Sequence, residues 1–88
     1  MIHTVFFWLK EGMSPAEYAD FRRGVKSLSQ IDTSERFYGG EASKTEARDV
    51  VDHSYDYALI VHFKDVATHD AYQDHPIHHK FVADCAKY

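Results

Sequence analysis

Between His69 and Val82 the chain gathers four of its seven histidines, His69, His75, His78 and His79, together with Tyr72, around a single proline, Pro76. Imidazoles exchange protons near neutral pH and also ligate metals, so this stretch has the richest chemistry in the sequence. Proline fixes its own φ and turns the residue before it away from helical geometry, while being favoured at the first position of a new helix. The spacing therefore predicts a helix ending near Asp74, a break at His75 and a second helix starting at Pro76. His75 would sit at the boundary with its ring free to face a cavity, and Tyr72 and His78 would flank the break.

A metal site is one chemistry open to this stretch. His75, His78 and His79 fall at helical spacings of three and four, with His69, Asp70 and Asp74 close by. The zinc patterns that join such spacing to a catalytic glutamate are absent, and exposed helix histidines are commonly solvated. No metal is expected.

The elements that must position these side chains are legible along the chain. Ile2 to Lys10 reads as a strand with His3, Val5, Phe7 and Leu9 on one face and Ile2, Thr4, Phe6 and Trp8 on the other. Both faces are mostly apolar, which predicts a central strand covered on both sides. His3 is the polar member of its face, and one reading places it at the solvated mouth of the strand. Ser14-Pro15-Ala16-Glu17 combines a cap serine, a first-position proline and a glutamate at the third helical position, so a helix begins here. Tyr18, Phe21, Val25 and Leu28 continue it as one apolar stripe.

Arg36 to Gly40 predicts a strand ending or bulging at the paired glycines. Residues 41–53 read as a long polar connection over the sheet edge, tacked down by Val50 and Val51. Ser54 to Phe63 alternates large residues (Tyr55, Tyr57, Leu59, Val61, Phe63) with mostly smaller ones and is the clearest strand. Asp65 then caps a helix over Val66 to Asp74, and Pro76 opens a last helix reaching about Lys87. Cys85, in step with Ile77 and Phe81, reads as a small buried hydrophobe.

Strand, helix, strand, strand and a helix pair make most of a βαββαβ ferredoxin-like unit, an α+β fold with an antiparallel sheet and helices on one face. The last strand of that unit is missing. At 88 residues, residues 1–88 form a single domain. A domain this small buries only about 60 to 65% of its surface, so a second copy covering the apolar outer face of the sheet is the economical arrangement. Six Phe, six Tyr and one Trp are many for so small an interior, and some should line a pocket or an interface. A net charge of -4 and a pI near 5.9 argue against a nucleic-acid partner. A lone cysteine excludes an internal disulfide, and the first residues lack a signal peptide's features. No stretch is long enough to span a membrane. These features predict a cytoplasmic protein without a membrane partner.

Three segments carry a resemblance: His3-Thr4-Val5-Phe6-Phe7-Trp8-Leu9-Lys10, Tyr55-Asp56-Tyr57-Ala58-Leu59, and Tyr72-Gln73-Asp74-His75-Pro76-Ile77-His78 with Phe81-Val82. Together they resemble the stress-responsive dimeric α/β-barrel (Dabb) family, which includes the plant cyclase that makes olivetolic acid. The resemblance implies a homodimer with a pocket between sheet and helices in each protomer. It also implies that Tyr72 and His78 match a catalytic acid-base pair working without metal or cofactor, and that His3 faces the same cavity. His75 is expected to help shape that pocket around a small apolar, aromatic or carbonyl compound. The other reading of the same family is a non-catalytic module that binds such a ligand or acts through assembly in stress. Locally, the alternative is that Tyr72 packs as a core residue and His78 bonds a backbone carbonyl.

Overall fold

The computed structural model describes residues 1–46 and 48–88. Strand β1 spans Ile2–Phe7 and helix α1 Pro15–Ser27, followed by a 3-10 turn over Leu28–Gln30. Strands β2 (Arg36–Gly40) and β3 (Tyr57–His62) precede helices α2 (Val66–Asp74) and α3 (Pro76–Cys85). The sheet is antiparallel with the order β1-β3-β2. This is the expected ferredoxin-like α+β arrangement, with helices packed on one face only.

The local signals act as their chemistry requires. Ser14 Oγ accepts the Glu17 backbone N–H while Glu17 Oε1 accepts that of Ser14, closing a capping box at the start of α1. Asp65 and Thr68 make the reciprocal pair for α2. His75 has extended backbone geometry (φ -67°, ψ 141°) and ends α2 while capping α3.

The inward face of the sheet is drawn from alternate residues. Val61 pairs with His3 and Phe37, and Leu59 pairs with Val5 and Gly39. Leu28, Ile31, Leu59, Val61, Phe63 and Tyr72 form the main core, and Phe21, Val25 and Cys85 form a second cluster against α3. Burial of these side chains, each worth about 1.5 to 3 kcal/mol, holds the three helices on the sheet.

Three expectations need correction. β1 is not central: β3 hydrogen-bonds on both sides, which leaves β1 at an edge. Its outward residue Ile2, with Phe6 and Trp8, is exposed within this chain, on the face expected to meet a second copy. β1 also stops at Phe7, because the Asp56 carboxylate takes the Leu9 N–H at 2.8 Å and ends the ladder. Val50 does not tack down the long connection, being 85% exposed. Polar contacts hold it instead, among them Tyr18 Oη donating to Glu41 and the Trp8 indole N–H donating to Ser54 Oγ. Among the described residues no helix is long and apolar enough to cross a membrane.

Gly24 sets how closely α1 and α3 approach. A Cβ at this position would lie 2.5 Å from Cys85 Sγ and 3.2 Å from the Phe81 ring. Gly24→Val is expected to destabilise the protein by about 1 to 3 kcal/mol through overpacking, read as a lower urea midpoint. Gly24→Ala should cost less, because its helix propensity returns about 1 kcal/mol.

Candidate acid-base site

The start of β1, the residue following β3 and the α2–α3 break converge on one cluster of rings. β1 supplies His3 and the chain after β3 supplies Phe63, which pairs with the chain start: Met1 N donates to Phe63 O, and Phe63 N to Met1 O. His69 and Tyr72 stand three residues apart on α2 and share its inward face. His78 is the third residue of α3. The Pro76 break re-aims the chain so that its ring returns to Tyr72, with centroids 5.1 Å apart. His3 stands 6.3 Å from Tyr72, and Phe63 packs against Tyr72 at 5.0 Å.

Tyr72 is 1% exposed and its hydroxyl is buried without a hydrogen-bond partner among the described residues. An unpartnered buried hydroxyl costs about 1 to 3 kcal/mol, so its retention calls for a reason. Burial pushes the phenol up to about 12, which keeps it a proton donor at neutral pH. His3 and His78 are half-buried, and burial moves both imidazoles down from their ordinary value. Neighbouring imidazoles reinforce that shift, His69 on His3, and His79, His3 and His69 on His78. One environment thus holds a neutral phenol beside neutral imidazoles, a pairing able to donate to a developing oxyanion and to take a carbon- or oxygen-bound proton.

Tyr72, His78 and His3 are therefore brought together. His75 is not part of the ring cluster: its Nδ1 accepts the Ile77 backbone N–H at 3.1 Å, so the ring caps α3 instead of standing free. The residue that sequence reasoning passed over is His69, whose ring is 4.9 Å from His3 and 5.4 Å from Phe63. Its three-residue offset from Tyr72 was the available signal. Among the described residues no three His, Cys, Asp or Glu side chains converge to hold a metal ion.

The lowered imidazoles give a pH prediction. Because His3 and His78 bind protons less readily folded than unfolded, the unfolded chain takes up more protons as pH falls through the ordinary value of 6.5. Their contribution is therefore full above that pH and is lost on acidification towards the folded values. Urea midpoints between pH 7.5 and 5 should fall, and less steeply in a His3→Phe, His78→Phe double variant; parallel curves would contradict this.

The comparisons with known proteins agree with the fold. The family model described as Stress responsive A/B Barrel Domain matches residues 1–88. A Dabb family protein with a ferredoxin-like fold from Mesorhizobium loti is 31% identical, with a TM-score of 0.71 over 94% of this chain and 78% of its own. A dimeric ferredoxin-like protein of unknown function from Thermobifida fusca is 24% identical, with a TM-score of 0.69 over 97% and 74% of the two chains. A protein from Arabidopsis thaliana superposes with a TM-score of 0.72 at 19% identity, covering 97% and 81%. No curated protein sequence matches the chain significantly.

Proposed function

Because the chain belongs to the stress-responsive A/B barrel (Dabb) family, we propose that it is a homodimer whose protomers each carry out cofactor-free acid-base chemistry, of cyclase or lyase type, on a small carbonyl or aromatic compound. The observation that carries the reading is the buried, partnerless hydroxyl of Tyr72, with His78 and His3 against the same ring. A ligand carbonyl oxygen would supply the missing partner. Tyr72 then donates to that oxygen as it becomes an enolate or alkoxide, and His78, neutral near pH 7, removes the proton whose loss drives the step. His3 lines the ligand's other side. His75 supports the site indirectly, by fixing the start of the helix that carries His78.

The homodimer is supported by the uncovered apolar face of the sheet and by neighbours described as dimeric, from Thermobifida fusca and Bacteroides fragilis.

The test is a screen of polyketide-like and β-dicarbonyl compounds with the wild type, Tyr72→Phe and His78→Ala. Turnover that falls in both variants is expected. Turnover unchanged in both would remove the pair, and saturable binding without turnover in the wild type would identify a ligand-binding module instead.

A further inference from the structure

We propose that His69 is a positioning residue for His3, its ring clamped by Asp70 and Gln73 and set edge-on against the His3 imidazole so that the latter stays turned towards Tyr72. The inference rests on the acid-base reading of the site and adds a residue to it. His69 Nδ1 lies 3.1 Å from Asp70 Oδ1, and its Nε2 lies 3.4 Å from Gln73 Nε2. A neutral ring satisfies both contacts in one tautomer: Nδ1–H donates to the carboxylate, and Nε2 accepts from the amide. Both partners come from α2 itself, one and four residues on, so the clamp is built into the helix that carries Tyr72.

The clamped ring has two neighbours. It meets His3 at 4.9 Å with the planes 60° apart, and Phe63 at 5.4 Å with the planes 87° apart. Edge-to-face contacts of this kind fix ring orientation, and Phe63 also touches His3 and Tyr72. His3 is therefore wedged between β1, Phe63 and His69, with no carboxylate hydrogen-bonded to its own ring among the described residues. The carboxylate in the cluster acts on His69, and His69 acts on His3 by packing and by charge. Burial first, and the nearby His69 imidazole second, disfavour a proton on His3 and hold it below its ordinary value. The titratable groups around His3 are His69 and Tyr72 on α2, with Asp70 next to His69, and His78 on α3, while the Met1 ammonium is tied to the Phe63 carbonyl.

The experiment is an NMR titration of the His3 ring nitrogens in the full chain, with His69→Phe and His69→Ala beside the wild type. Phenylalanine keeps the ring and removes its nitrogens and charge. In that variant the His3 midpoint should rise towards 6.5, its ordinary value, while nuclear Overhauser contacts to Tyr72 persist. Alanine removes the wedge as well, so the midpoint should rise further and the contacts to Tyr72 should weaken or vanish. A His3 midpoint unchanged in the phenylalanine variant, or contacts between His3 and Tyr72 unchanged in a folded alanine variant, would overturn the proposal. Because this readout needs no substrate, it separates from the reading it rests on. Turnover indifferent to Tyr72 and His78 would sink the acid-base pair while leaving the His3 response in place. Turnover dependent on them with a silent His69 would sink only the positioning role.

Discussion

Replacing Phe6 with glutamate is expected to leave the chain monomeric at micromolar concentration while its fold is kept. Phe6 is on the face of the sheet turned away from the helices, with Ile2, Trp8, Tyr38 and Ile60, and these five side chains are between 38% and 65% exposed. The register makes them one surface. Thr4, Ile60 and Tyr38 form one row across the three strands, and Phe6, Ala58 and Gly40 form the next. Ala58 and Gly40 leave a shallow floor beside Phe6, whose ring packs against Tyr55 at 5.0 Å. A contiguous apolar sheet face on so small a protein marks an interaction surface.

A stable interface needs about 800 Å² per partner, most of what one face of a three-stranded sheet offers. A carboxylate buried at its centre without a partner costs several kcal/mol, enough to change a dissociation constant by orders of magnitude. Phe6 points away from the core, so circular dichroism and the urea slope per chain should change little. Light scattering decides the matter. A wild type already monomeric at micromolar concentration would contradict the barrel dimer, and a Phe6→Glu protein still dimeric would move the interface elsewhere. The ring cluster lies on the opposite face, so this variant separates assembly from the chemistry of the site.

Tyr72→Phe is the substitution with the largest expected effect on turnover, about 10²- to 10⁴-fold, the usual contribution of one positioned acid or base. Its effect on stability should run the other way. The wild-type hydroxyl is buried without a partner, so its removal deletes a desolvation cost of about 1 to 3 kcal/mol and leaves the ring packing intact. Tyr72→Phe should thus raise the urea midpoint while lowering activity, the trade-off expected where a site is retained for function. A destabilised Tyr72→Phe would mean that the hydroxyl is held by a structural partner, and the functional reading of the residue would fall.

His78→Ala should lower turnover over a similar range and remove the acid limb of the pH profile. That limb reports a base held below its ordinary value by burial, with rate rising as pH climbs through the depressed midpoint. His78→Gln, which keeps a polar side chain of similar length, should not restore activity. A restored rate would reduce His78 to a hydrogen-bonding role.

How much of this was written in the chain differs from feature to feature, for physical reasons. The helix starts at Ser14 and Asp65 and the break at His75-Pro76 were legible, because capping and proline sterics act within four residues. Alternation alone separated the two faces of each strand but did not say which face the helices would cover. The place of β1 was misread, since two apolar faces say that both are covered and do not say where the strand stands in the sheet order. The end of β1 at Phe7 depends on Asp56, 49 residues away in sequence and adjacent only after folding.

The candidate site divides along the same line. That Tyr72 and His78 flank a helix break is a property of the sequence, whereas the turn of His3 towards the same cavity was only what the family resemblance implied. That these rings meet, that the Tyr72 hydroxyl is left without a partner, that His75 spends its nitrogen on capping α3 and that His69 joins His3 are tertiary facts. They depend on the register of β1 against β3 and on the angle at which α2 crosses the sheet. Local sterics and periodicity fix where elements begin, end and face, whereas contacts between side chains distant in sequence are set only when packing selects one arrangement of those elements.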